Sequence, residues 1–167
     1  MARKSLLEQA NEKADALIGI ASALPIFRLV HLLNQHSMLE LVCEDDFPVY
    51  IEKSKKVFDF PFYYYENEDY RSSFCLVNNS NRETYLLPLH KQLSYLLIIK
   101  GAMPTDKISK LVSSIKSIPG IQLATLLNQS GIKSFDSIME DLEMHLNTLK
   151  IKRTSLEKRI MPSAEDQ

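Results

Sequence analysis

Four histidines and two cysteines have the widest chemical reach in this chain: His31, His36, His90 and His145, with Cys43 and Cys75. A helical metal pair needs two histidines three or four residues apart on one face, and the nearest pair, His31 and His36, is five apart. Two cysteines cannot build a disulfide framework, nor by themselves a four-ligand zinc site. A nucleophilic thiolate wants basic surroundings, yet Cys43 is followed by Glu44, Asp45 and Asp46. Both cysteines fall in strand-like runs, where a free thiol is expected to be a small buried hydrophobe. Gly19-Ile20-Ala21-Ser22-Ala23 lacks the second glycine of a nucleophile elbow. The glycines, at 19, 101, 120 and 131, are too scattered to cradle a phosphate. The carboxylates of Glu44, Asp45 and Asp46 lack calcium-loop spacing, and Glu66, Glu68 and Asp69 suit the tip of a hairpin kept soluble by charge. No catalytic, metal or cofactor site follows from these residues. An enzyme or ligand-binding reading would need a deep pocket lined by His31, His36 or His90.

Binding chemistry is the alternative. Lys53, Lys55 and Lys56 lie just before an aromatic run containing Tyr63, Tyr64 and Tyr65, and Lys152 and Arg153 lie in a second basic segment near the C-terminus. Basic residues beside stacked aromatics can hold RNA. Adjacent strand residues point to opposite faces, however, so Tyr64 parts company with Tyr63 and Tyr65, and one face must be core. The Lys/Arg-Gly-Phe/Tyr run of the commonest RNA-binding sheet is absent.

The elements that would position these groups follow from periodicity. Residues 1–15 carry Leu6, Leu7, Ala10 and Ala14 at helical spacing, a helical or extended arm. Leu17 to Ile20 suits a buried strand or the end of that arm. Pro25 opens a helix over 25–36 with Ile26, Leu29, Val30 and Leu33 on one face. Residues 39–44 and 49–51 suggest two short strands, and Val57 to Glu66 a third, with Phe58, Phe60 and Phe62 on one face and Pro61 marking an edge or a bulge. Turns at 67–69 and 78–81 bracket another strand, and Glu83 to Leu87 suggests one more. Tyr95 to Ile99 is apolar without alternation, hence buried on both faces near the sheet centre. A helix capped by Thr105, with Ile108, Leu111, Val112 and Ile115 inward, then leads to a strand at 121–127, a βαβ unit. The fold class is therefore α+β: a mostly antiparallel sheet, two packed helices, one βαβ unit and a long C-terminal helix.

That last helix, capped by Ser134 and reaching about Met161, starts acidic and ends basic, as the helix dipole favours. Met139, Leu142, Leu146, Leu149, Arg153, Leu156 and Ile160 follow a 3-4-3-4 spacing. It either lies across the domain with its end solvated, or protrudes and pairs with a second copy or another protein. In the second case Leu142, Leu146, Leu149 and Leu156 form the seam. Four segments result: the arm at 1–15, an α+β domain at 16–133, the helix at 134–161 and a tail at 162–167.

The chain has 167 residues, twenty basic and twenty-one acidic, for a net charge of −1. That length suits one core, and that balance argues against a chain devoted to wrapping polyanions. Glu8, Glu12, Lys13 and Asp15 interrupt any signal-peptide core, and the longest uncharged run, residues 16–27, falls short of the ~20 residues of a membrane helix. A cytoplasmic protein with no membrane partner is expected.

The run Leu87-Pro88-Leu89-His90-Lys91-Gln92-Leu93-Ser94-Tyr95, followed by Leu96 to Gly101, resembles the IPExxxVDY family of small Bacteroidetes proteins. Residues 17–20 leading to 27–34, residues 70–78 and residues 115–119 fit the same pattern in order. Pro88 and Tyr95 match the name-giving positions; Leu89 and Ser94 stand where the family has acidic residues. If those carboxylates do chemistry in relatives, this chain has lost it; if they shape a turn and a strand end, the fold survives. The resemblance implies a bacterial cytoplasmic protein and no particular activity. Together with the missing chemistry, it favours a non-catalytic interaction or regulatory module whose partner is another protein or a second copy, with RNA as the other candidate.

Overall fold

A computed structural model describes residues 15–160. The expected N-terminal arm, apart from its last residue, and the tail lie outside these residues. Six strands form one sheet: β1 (Asp15–Ser22), β2 (Val42–Ile51), β3 (Lys56–Asn67), β4 (Ser72–Asn78), β5 (Tyr95–Gly101) and β6 (Ile121–Leu126). Their order is β2-β3-β4-β5-β1-β6, and every neighbouring pair is antiparallel. Three α-helices accompany them: α1 (Ile26–His36), α2 (Thr105–Lys116) and α3 (Phe135–Ile160). The fold is α+β, as the sequence predicts. The βαβ unit is a split one: β5, α2 and β6 follow in sequence, and β1 lies antiparallel between the two strands, which makes them parallel to each other.

Alternation sends side chains to two cores. On one face Phe58, Phe60, Phe62 and Tyr64 of β3 meet Phe47 and Val49 of β2 and Phe135, Ile138, Leu142, Leu146 and Leu149 of α3. On the other, Phe74 and Leu76 of β4 meet Leu29, Val30 and Leu33 of α1 and Leu111 and Ile115 of α2. β5 contributes Leu96 and Ile98 to the first core and Tyr95, Leu97 and Ile99 to the second. Its unbroken apolar run is thus the mark of a strand covered on both sides.

Several expectations are corrected. Residues 42–51 form one strand, not two: Glu44 pairs with Phe62 and Phe47 with Phe60, so Asp45 and Asp46 together face Pro61 as a bulge. Pro61 therefore sits in an internal strand, where the bulge accommodates its missing donor. The strand expected at 83–87 is absent apart from one bridge between Ser80 and Tyr85. In its place, buried Asn79 gathers the loop. Its side-chain amide donates to the carbonyls of His90 (2.8 Å) and Leu93 (2.9 Å), and its Oδ1 accepts from the Leu87 amide (2.7 Å). Thr105 does not cap α2; Pro104 holds that position with no side-chain cap. Cys75 is buried as expected, whereas Cys43 is exposed.

Candidate interaction surface

α3 is fastened to β2 along part of its length. The Asp141 carboxylate accepts from the Tyr50 amide (3.3 Å), the His145 Nε2 lies 3.1 Å from the Asp45 carbonyl oxygen, and the Lys152 ammonium sits 2.6 Å from the Asp45 carboxylate. Arg153 pairs with Glu44 and stands over the Tyr64 ring. The helix thus descends β2 from Tyr50 toward Val42. The bulge explains why the fit works, since it turns the Glu44 and Asp45 carboxylates toward the basic end of the helix.

The electrostatics agree with this geometry. The hydrogen bond from Lys152, and then its charge, hold the Asp45 carboxyl below its ordinary range, and Asp45 raises Lys152 in return. His145 is buried between Phe47 (centroids 5.6 Å apart) and Phe62 (4.9 Å, edge to face). Burial pushes its imidazole below the ordinary value, only partly offset by the Asp45 carbonyl and the nearby carboxylates.

The seam predicted on this helix is divided by the fold. Leu142, Leu146 and Leu149 are buried in the chain's own core, whereas Leu156 is 47% exposed. All ten residues from 151 to 160 are exposed, among them Ile151 (69%) and Ile160 (76%). This segment runs on beyond Arg153, the last residue tied to the sheet.

The basic candidates do not form one patch. Lys53 and Lys55 occupy the β2–β3 turn and Lys56 opens β3, next to Glu83 at 3.7 Å. Lys152 and Arg153 lie at the opposite end of β2, about 25 Å away at ~3.3 Å per strand residue, and each is already paired. The tyrosines offer no bare stacking face: Tyr64 is in one core, and Tyr63 and Tyr65 pack against the other.

His31 and His36 are exposed on α1. His90 lines a groove of about 370 Å³ with Leu87, Pro88, Leu89, Ile132 and Lys133. Among the described residues, no group of three or more His, Cys, Asp or Glu side chains is placed to hold a metal ion, and no helix is long and apolar enough to cross a membrane.

At the positions that depart from the IPExxxVDY pattern, the side chains do structural work or face solvent. The Ser94 hydroxyl accepts from the Ser22 amide (3.1 Å) and donates to the Ser22 carbonyl (2.9 Å), closing the end of β1. Leu89 is 91% exposed on a single 3₁₀ turn. No family model matches the chain, and no curated protein matches it.

Sequence reasoning found the stripe on α3 but missed His145 as a buried group and the bulge as its receptor. A signal existed in retrospect: Asp141, His145 and Leu149 are four apart and share a face.

Proposed function

We propose that this chain is a non-catalytic interaction module of the bacterial cytoplasm, related to the IPExxxVDY proteins, that engages a protein partner through the free end of α3. One observation carries the reading: the stripe that is buried at Leu142, Leu146 and Leu149 continues at Leu156 and Ile160, which the described residues leave 47% and 76% exposed. Beyond Arg153 the last seven helical residues are all exposed, so they gain little from the core that secures most helices. A partner that covers Leu156 and Ile160 supplies what the fold leaves out. The remaining chemistry supports the same reading, because His145, the buried polar side chain of α3, bonds the helix to the sheet.

The test is site-specific photo-crosslinking in the source organism, with the crosslinker at Leu156 or Ile160 and a control at Lys116 on the opposite face. The expected result is a discrete adduct from the α3 positions alone. Absence of any adduct, or identical adducts from the control, overturns the proposal.

A further inference from the structure

Charge is divided unevenly along this chain. Residues 15–149 carry twelve Lys and Arg against sixteen Asp and Glu, whereas residues 150–160 carry five against one. The body is therefore acidic by four charges and the helical end basic by four. Within that end Lys152 and Arg153 are paired to Asp45 and Glu44, which leaves Lys150, Lys158 and Arg159 against Glu157.

The topology supplies an acidic receptor. Arg153 lies over Tyr64, and Tyr64 pairs with Val42, the first residue of β2. Beyond that pair α3 continues for seven residues, about 10 Å at ~1.5 Å each. β3 continues past it for three, again about 10 Å at ~3.3 Å each. It ends in the exposed tip that holds Glu66, Glu68 and Asp69 with one base, Arg71, so the tip is acidic by two charges. The basic arm and the acidic tip thus project from one end of the sheet. Lys158, Arg159 and the three tip carboxylates form no ion pair with any described residue. Val42, 59% exposed and paired with Tyr64, adds an apolar group at this end of the sheet.

We infer that the occupant of this end is a second copy of the chain, joined about a two-fold axis so that each arm lies on the other's tip. Because both complementary elements sit on one end, a single rotation satisfies both contacts at once, the property of an isologous interface. The apolar residues Leu156, Ile160 and Val42 form its centre and the charges its rim. The inference rests on the interaction reading above and names its partner.

The experiment is sedimentation equilibrium of the full chain at low salt and about 100 μM, a concentration that populates micromolar dimers. Three samples are run: the parent, an arm-reversed variant (K158E/R159E) and a tip-reversed variant (E66K/E68K/D69K), each with a circular dichroism spectrum matching the parent. The parent is expected at twice the chain mass, and each reversal is expected to raise the dissociation constant at least about tenfold. Mixing the two variants restores a dimer, since each arm then faces a tip of opposite sign. A monomeric parent, a dimer indifferent to both reversals, or a mixture that stays monomeric overturns the inference. A monomeric parent whose Leu156 still crosslinks to another protein sinks only the self-docking, whereas no crosslink at all sinks the interaction reading as well.

Discussion

The His145 imidazole meets the backbone carbonyl of Asp45 across 3.1 Å, one hundred residues away in sequence, with the Phe47 and Phe62 rings closing around it. This contact places a titratable ring at the junction of helix and sheet, and its consequences are measurable.

Stability should fall as pH drops below the ordinary imidazole value near 6.5. Burial keeps the folded value lower than that, so the unfolded chain binds its proton first and gains relative to the folded one. The contribution is complete above the ordinary value and is lost as pH falls toward the folded value. Asp45, also depressed, acts in a separate window: its contribution is present above its ordinary 3.8 and is lost below it. Urea midpoints of the parent should decline between about pH 7 and pH 5, and those of His145→Phe should decline less. Equal slopes would show that His145 is not the group responsible.

Removing the Asn79 side chain should be among the costliest single changes. Asn79→Ala strips partners from the carbonyls of His90 and Leu93 and the amide of Leu87, two of these residues buried. At about 1–3 kcal/mol per orphaned buried group, the loss is on the order of 3 kcal/mol or more. A loss under about 1 kcal/mol in chemical denaturation would mean that water replaces the amide.

Leu149→Ala and Leu156→Ala should separate sharply although both belong to one sequence stripe. Leu149 is 5% exposed, and its truncation is expected to cost about 2–5 kcal/mol. Leu156 should cost under about 0.5 kcal/mol at concentrations where the chain is monomeric. Comparable losses would mean that the end of α3 is packed after all.

Gly101 closes β5 with φ at +119°, and a Cβ there would stand 2.3 Å from the Arg71 carbonyl oxygen. Both the backbone conformation and the space require glycine. Gly101→Ala should destabilise by about 1–3 kcal/mol, the usual cost of a strained backbone region, read as a lowered thermal midpoint. An unchanged midpoint would show that the Arg71 turn yields freely.

Elements whose signal is local could be read from the residues. The apolar run of β5 declared a strand buried on both faces, and the 3-4 spacing after Pro25 declared α1. What could not be read depended on contacts far apart in sequence. Asp45 and Asp46 look like a break between strands because a charged pair flanked by strand residues is usually a turn; only pairing with β3 makes them a bulge. Glu83 to Leu87 has strand-forming residues, but the three side-chain bonds of Asn79 hold this loop in another shape. On α3 the spacing located the stripe, yet it contained no mark of where the helix would leave the core, which decides that Leu149 is buried and Leu156 exposed.

The position of β1 has a bearing on biosynthesis. This strand leaves the ribosome well before the strands that flank it, β5 and β6, which begin at Tyr95 and Ile121. At translation rates of about 5–20 residues per second, its hydrogen-bonding edges stay vacant for several seconds or longer. During that interval Leu17, Ile18 and Ile20 form a sticky nascent segment, so yield in rapid overexpression should hinge on chaperone supply more than on the strength of the finished domain.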